Sequence, residues 1–171
     1  MTSEEHREEA PDTLHVGVIT VSDSRAAAME NGEDRDESGK LIEKRLNDSG
    51  HSSDRVIIPD NEKKLSKLLE DWLEDPEIDA IITTGGTGIA ERDITIDVAR
   101  DYFEKELPGF GETLRRKGFE SVGVPAIITM ATLGIGNDKP VFCLPGAPNS
   151  VEEGMNLILM DLGHIVKHAR E

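Results

Sequence analysis

Residues 78–98 constrain the fold of this chain more than any other stretch, because they join a buried-strand pattern to a glycine-rich turn and then to a helix. Residues 79–84 form a short apolar run with β-branched side chains, which is typical of a strand covered on both faces. The sequence Gly85-Gly86-Thr87-Gly88 then lets the backbone turn sharply, since three of these residues lack a Cβ. Helical spacing follows from Ile96 to Leu107, so this stretch predicts a strand, a loop and a helix in series.

This strand, loop and helix form a candidate anion-binding site. Free N–H groups and the positive end of the helix dipole face the same space there, although the same pattern also serves close packing of a helix on a strand. The dinucleotide fingerprint fails at Glu91, and the P-loop fingerprint fails because no Gly-Lys-Ser/Thr follows. A phosphate bound here has no loop lysine to neutralise it. A metal held by Asp93 is therefore the economical source of positive charge.

Charge and composition narrow the class of partner. The chain has 19 Lys plus Arg against 35 Asp plus Glu, and the net charge of −16 argues against nucleic acid as the main partner. A salt-rich cytoplasm would favour such an acidic surface. The single cysteine, Cys143, excludes an internal disulfide framework and, within an apolar run, is expected to be a small buried hydrophobic residue. No apolar run has the length of a membrane span, so we expect a soluble, cytoplasmic protein without membrane contact.

Alternating strand and helix patterns predict the architecture. Residues 1–13 are acidic and aperiodic, which predicts a mobile tail before a single domain at residues 14–171. The predicted strands cover residues 14–21, 54–60, 79–84, 126–131 and 141–144, and the predicted helices cover residues 36–50, 65–73, 96–107, 111–120 and 150–165. Residues 26–35 are predicted to be an exposed loop, and a capping box of Ser150 and Glu153 is predicted to start the last helix. The order implies an α/β fold, a three-layer αβα sandwich with a mostly parallel sheet.

Polar residues that follow the predicted strands should meet at one edge of the sheet. Ser22 and Asp23 follow the first strand, Asp60 follows the second, Asp93 ends the glycine loop after the third, and residues 145–149 follow the last. In open α/β folds that edge is where ligands bind, although each residue taken singly is also an ordinary turn or cap residue.

A basic cluster and a histidine pair lie outside the predicted site. The run Arg115-Arg116-Lys117 is compatible with a solvated helix face and with a phosphate or partner contact. His164 and His168 lie one helical turn apart, but no third ligand is near in sequence, and histidines also suit the end of a helix. We therefore interpret the histidine pair as structural.

Four ordered motifs make the chain similar to a known family. The chain resembles the MogA/MoaB family of molybdenum cofactor biosynthesis, which includes the gephyrin G domain, and its pattern is nearest to archaeal MoaB proteins. The matching motifs are residues 84–88, 92–95, 108–112 and 144–149. The resemblance implies a molybdopterin-binding α/β fold, a trimer or hexamer, and Mg²⁺-dependent adenylylation of molybdopterin by ATP. It also implies contact with a molybdenum- or tungsten-insertion protein.

The resemblance also implies roles for individual residues. Asp60 and Asp93 are the implied catalytic and metal-binding residues. The implied nucleotide-binding residues are Thr84, Gly85, Gly86, Thr87 and Gly88, and the implied lining of the shared pterin and nucleotide crevice is Ser22, Asp23, Pro145, Gly146, Pro148 and Asn149.

One position departs from the family pattern. Many members carry an arginine where this chain has Met130, and methionine provides neither charge nor N–H donors. Either phosphate affinity is lower here, or Arg25, Arg115 or Arg116 substitutes. The alternative function is a molybdopterin-binding or scaffold protein of the same family with weak or no catalysis.

Overall fold

The computed structural model describes residues 11–171 and contains a six-stranded sheet between layers of helices. The strand order is β2-β1-β3-β6-β5-β4. The strands are β1 (His15–Val21), β2 (Ser52–Ile58), β3 (Ala80–Thr84), β4 (Lys105–Leu107), β5 (Thr132–Gly136) and β6 (Lys139–Leu144). Strand β1 pairs in parallel with β2 and β3, and β3 pairs in parallel with β6, whereas β5 is antiparallel to both β6 and β4. The prediction of a three-layer, mostly parallel α/β fold is confirmed.

Helices follow most of the strands. They are α1 (Asp23–Glu30), α2 (Glu37–Asp48), α3 (Glu62–Glu74), α4 (Thr95–Arg100), α5 (Pro108–Val122), α6 (Pro148–Leu159) and α7 (Leu162–Ala169), with a 3₁₀ helix at Val124–Ile128. In the described part of the chain, no helix is long and apolar enough to cross a membrane. Residues 1–10 of the predicted tail lie outside the described residues, and its mobility and the single-domain division stay predictions.

The core has two parts, one on each face of the sheet. Val16 and Val18 of β1 belong to the part covered by α2, α5, α6 and α7, whereas Ile19 and Val21 belong to the part covered by α3 and α4. Successive side chains of a strand point to opposite faces, so a strand buried on both faces needs this uninterrupted apolar run. Cys143 lies in the second part and is fully buried, and burial raises the pKa of its thiol to about 12. Its predicted role as a buried hydrophobic residue is confirmed.

Two predicted segments are wrong, the first for a local reason and the second because a contact across the fold overrides the local pattern. Residues 26–35 do not form a simple loop, since Ser22 caps α1 and the alanines after it continue that helix to Glu30. The helix predicted at residues 96–107 ends at Arg100, and Lys105–Leu107 becomes edge strand β4. Phe103 packs directly over Gly134 of β5, so its helical spacing from Ala99 is not the reason for its burial.

Three further predictions fail near the carboxyl end. Residues 126–131 do not form the predicted strand, because the first three of them belong to the 3₁₀ helix, which begins after Gly123 with φ +71° and holds Pro125, while β5 starts only at Thr132. Helix α6 begins at Pro148 without a side-chain cap, so Ser150 lies inside its first turn and the predicted capping box is absent. The predicted last helix is in fact two helices, because α6 ends at Leu159 and α7 begins at Leu162.

Candidate functional site

The carboxyl ends of four parallel strands carry the candidate site. Strands β1, β2, β3 and β6 run in the same direction, so the segments that follow them emerge at one edge of the sheet. These segments hold Ser22 and Asp23, Asp60, residues 85–93 and residues 145–149. The predicted convergence at one edge is confirmed.

The glycine loop after β3 depends on two residues with positive φ. Gly85 has φ +94° and Gly86 has φ +66°. A Cβ at Gly85 would overlap the carbonyl oxygen of Val21, and a Cβ at Gly86 would overlap the hydroxyl of Thr95. Thr95 is buried, and its hydroxyl donates a hydrogen bond of 2.8 Å to the Gly85 carbonyl. Thr95, the first residue of α4, therefore holds the glycine loop in place through this hydrogen bond.

Buried hydroxyl groups fix the second loop, residues 145–149, against the glycine loop. Thr84 Oγ1 donates to the Pro145 carbonyl at 2.8 Å, and Ser38 Oγ donates to the Gly146 carbonyl at 2.8 Å. Both hydroxyl-bearing residues are fully buried. A Cβ at Gly146 would lie 3.4 Å from the Gly85 Cα, so the two backbones nearly touch. Ser38 and Thr95 were not predicted, because only the folded chain shows which carbonyls they reach.

Two cavities flank the segment between the glycine loop and α4. The first, the Gly88 cavity, has a volume of about 770 Å³, and its walls include Thr87, Gly88, Leu114, Arg115 and Asn149. The second, the Asp60 cavity, has a volume of about 810 Å³, and its walls include Asp60, Lys63, Ala90 and Arg92. Residues 87 and 88 thus border one cavity, and residues 90–92 and 94 border the other.

Carboxylates cluster at the Asp60 cavity. The Asp23 N–H donates to Asp60 Oδ2 at 3.2 Å, and the Asp60 N–H donates to Asp23 Oδ1 at 2.9 Å, which holds the segments after β1 and β2 together. Partial burial raises the pKa of Asp60, and the negative charges of Asp23 and Asp93 act in the same direction, while the Asp23 N–H and Arg92 oppose them. Asp60 is thus a carboxylate whose negative charge favours a cation.

Asp93 has a local structural contact as well as a place at the site. Its Oδ2 accepts a 2.9 Å hydrogen bond from the Ala90 N–H, and its carboxylate lies directly against Gly88. The Asp93 side chain therefore stabilises the turn formed by residues 88–93. The fold still brings its charge close enough to affect Asp60.

The predicted site residues divide into those that line a cavity and those that support one. Thr87, Gly88, Pro145, Gly146 and Asn149 line the Gly88 cavity, and Asp60 lines the Asp60 cavity. The supporting residues are Ser22, which caps α1, Asp23, which holds Asp60, and Thr84, Gly85, Gly86 and Pro148, which shape the loops. The roles assigned to all of them stay predictions.

The paired histidines of α7 are the next candidate for a metal-binding group. His164 Nε2 and His168 Nε2 lie 3.1 Å apart, and His168 also contacts Glu171. Within residues 11–171, no three His, Cys, Asp or Glu side chains converge as a ready metal-binding group.

The fold and the site together define a class of protein: a three-layer α/β protein with two loops packed against each other at the carboxyl edge of a parallel sheet, which is the edge where open α/β folds bind ligands. The family model described as "Probable molybdopterin binding domain" matches residues 17–164. The molybdopterin adenylyltransferase of Pyrococcus furiosus is 43% identical over 175 residues, which covers 100% of both chains. Molybdenum cofactor biosynthesis protein B of Bacillus subtilis is 39% identical over 174 residues, covering 100% of this chain and 99% of the relative.

A solved structure agrees with these sequence matches. The tungsten cofactor synthesizing protein MoaB from Pyrococcus furiosus superposes with a TM-score of 0.81 at 42% identity, covering 95% of this chain and 100% of that chain. The chain therefore belongs to the molybdopterin-binding domain family, and the predicted family membership is confirmed.

Proposed function

We propose that this protein is a molybdopterin adenylyltransferase, which transfers the adenylyl group of ATP to the phosphate of molybdopterin and releases pyrophosphate. The observation that carries the proposal is the full-length, 43% identical match to a relative named for this activity. The two rigid loops at the strand ends support it, because they form a built site rather than an ordinary turn.

The chemistry requires two anions to meet. A phosphate oxygen of molybdopterin attacks the α-phosphorus of ATP, a new P–O bond forms, and the bond to the β-phosphate oxygen breaks as pyrophosphate leaves. Positioning and charge neutralisation supply most of the catalysis of such a step. The clamped loops position the reactants, since Ser38, Thr84 and Thr95 leave the loop carbonyls no freedom to swing into the cleft.

Asp60 and Asp93 are the proposed holders of Mg²⁺. The donor set fits this ion, because Mg²⁺ prefers oxygen ligands and is commonly bound by one or two carboxylates together with substrate phosphates. The raised pKa of Asp60 also fits, since part of its cause is the repulsion of neighbouring carboxylates that a cation would relieve. When bound, Mg²⁺ would neutralise phosphate charge during the transfer.

The remaining predicted residues have proposed roles at the same cleft. Residues 84–88 hold the nucleotide, with Thr84 and Gly85 acting through loop shape. Ser22, Asp23 and residues 145–149 border the crevice shared by pterin and nucleotide. Ser22 acts there through the cap of α1, because its hydroxyl accepts from the Arg25 N–H at 3.3 Å.

We also propose a homotrimer or hexamer. Exposed apolar side chains crowd the end of α5 and the 3₁₀ helix, and burying them between subunits would be favourable. They are Phe119, Val122, Val124, Ile127 and Ile128. Contact with a metal-insertion protein, a molybdenum or tungsten product and a cytoplasmic location belong to the same proposal.

The test is a reaction of pure protein with molybdopterin, ATP and Mg²⁺. The proposed function predicts pyrophosphate release that depends on all three. The second candidate is a scaffold protein, and it is favoured by Met130, which leaves one loop position without a charged donor. Tight molybdopterin binding without pyrophosphate would support the scaffold and overturn the enzyme.

A further inference from the structure

The Gly88 cavity contains a single basic side chain among the described residues that line it, Arg115 of α5. Its Nη1 donates to the Ala131 carbonyl at 2.9 Å and to the Thr129 carbonyl at 3.3 Å. These two bonds fix the guanidinium plane, and the N–H groups on Nε and Nη2 remain available to a ligand. Gly111 lies one turn earlier, and its lack of a side chain makes room for both the Ala131 carbonyl and the guanidinium.

The segment that holds Arg115 is joined to the glycine loop. The Met130 N–H donates to the Thr87 carbonyl at 2.8 Å, and the hydroxyls of Thr87 and Thr129 lie 2.9 Å apart. The position of the Arg115 guanidinium is therefore coupled to that of the glycine loop through residues 129–131. Met130 contributes to this link with its backbone, which any residue except proline provides.

Arg115 is one of three described arginines that pair with no carboxylate, and the acidic residues that line its cavity are Glu152 and Glu153. The described residues include nine arginines, and the six that pair with a carboxylate are Arg25, Arg35, Arg45, Arg55, Arg100 and Arg170. Arg116 has no such pair but is exposed outside the cavity, and Arg92 lines the other cavity. In a chain of net charge −16, a half-buried arginine without a carboxylate partner is well suited to an anionic ligand.

Resting on the proposed function, we propose that Arg115 binds a phosphate group in the Gly88 cavity and supplies the fixed positive charge that the lysine-free glycine loop lacks. The planar fork of arginine matches two phosphate oxygens, and its charge-assisted bonds are stronger than neutral ones. The phosphate belongs either to molybdopterin or to the nucleotide, and both present the same chemistry to the guanidinium. Arg25 and Arg116 do not take this part, because Arg25 faces buried Asp36 and Arg116 does not line the cavity.

The experiment compares Arg115→Met with Arg116→Met, a matched loss of charge one residue away. We expect Arg115→Met to raise KM by about tenfold or more for the substrate whose phosphate it holds, because a charged hydrogen bond is lost. Arg116→Met should stay within about twofold of the wild type. Separate KM measurements for ATP and for molybdopterin identify the source of the phosphate. Unchanged KM values for both substrates in Arg115→Met would overturn the proposal.

A binding measurement separates this inference from the proposed reaction. Inorganic pyrophosphate serves as the probe, and its affinity is measured by calorimetry without turnover. We expect Arg115→Met to lose about tenfold in affinity and Arg116→Met to retain it. Arg115→Gln is the second variant, since it removes the charge but keeps a polar side chain with N–H donors. If a folded Arg115→Gln protein binds pyrophosphate as tightly as the wild type, the inference is wrong, whatever the reaction assay shows.

Discussion

At the scale of single residues, the fold gives Asp60 and Asp93 different local positions. Asp60 follows β2 and exchanges hydrogen bonds with Asp23, whereas Asp93 accepts the Ala90 N–H within its own loop. Each carboxylate keeps one oxygen that these bonds do not use. The proposed cation binding by both residues is therefore compatible with the contacts that hold them, and each role can be tested by an isosteric substitution.

Asp93→Asn should abolish pyrophosphate release and leave the fold intact. The amide oxygen of asparagine can still accept the Ala90 N–H, so the loop stays closed while the charge is lost. Turnover and the melting temperature are measured on the same preparation, with Asp101→Asn as an exposed control on the surface. Full activity in Asp93→Asn would remove this residue from the mechanism.

Asp60→Asn should lower activity but raise stability at pH 7. Partial burial, with the charges of Asp23 and Asp93, raises the pKa of Asp60 above its ordinary 3.8, so its ionisation disfavours the folded state. The destabilisation grows as pH rises from 3.8 through the raised pKa and vanishes below 3.8, where folded and unfolded chains both hold the proton. Melting temperatures measured from pH 3 to pH 7 should show the variant gaining only toward neutral pH.

A lower melting temperature for Asp60→Asn would contradict this prediction. If Asp60→Asn melts below the wild type at pH 7 in the absence of metal, then its ionised carboxylate stabilises the fold. The charge cluster described for the Asp60 cavity would then be wrong.

At the scale of elements, the strand-to-helix unit β3–α4 holds the site through its glycines. Gly85→Ala should destabilise strongly, because it combines a positive φ with overlap against the Val21 carbonyl. Gly50→Ala isolates the φ effect, since Gly50 has φ +83° and open space around its Cβ position, and should cost about 1–2 kcal/mol. Urea unfolding of both variants measures the difference. Equal stability of the two variants would show that Gly85 is not pressed against β1.

The elements predicted correctly from sequence are those whose pattern is local. Leu65, Leu69 and Leu73 are buried along one face of α3, and this spacing is legible without knowledge of the fold. The strands that failed, β4 and β5, are short, and Gly134 is placed by Phe103 from a distant segment. The hairpin that joins β5 to β6 turns at Asn137 and Asp138, both with positive φ.

The residues of the candidate site also separate into those that sequence could predict and those that it could not. Residues that follow strands could be predicted, because parallel topology alone brings the carboxyl ends to one edge. Ser38, Thr95 and Arg115 depend on contacts across the fold, so sequence could not assign their partners. For Ser38 the partner is Gly146, 108 residues away.

At the scale of the whole molecule, the proposed assembly rests on the exposed apolar side chains at the end of α5 and on the 3₁₀ helix. We expect light scattering to give a mass near three or six times the 18.7 kDa of one chain. Val124→Asp should reduce that mass, because a buried unpaired charge opposes association. Met160→Asp is the matched control, since Met160 is also exposed but belongs to the end of α6. A monomeric wild type would contradict the proposed assembly.

The most direct test of the central proposal follows the phosphorus atoms of ATP. Wild-type protein is incubated with molybdopterin, Mg²⁺ and ATP labelled at either the α- or the γ-phosphorus. The proposed adenylylation predicts that the α-label moves to the pterin product while the γ-label appears only in pyrophosphate. Transfer of the γ-label to the pterin, or no pyrophosphate above a protein-free control, would contradict the proposed function.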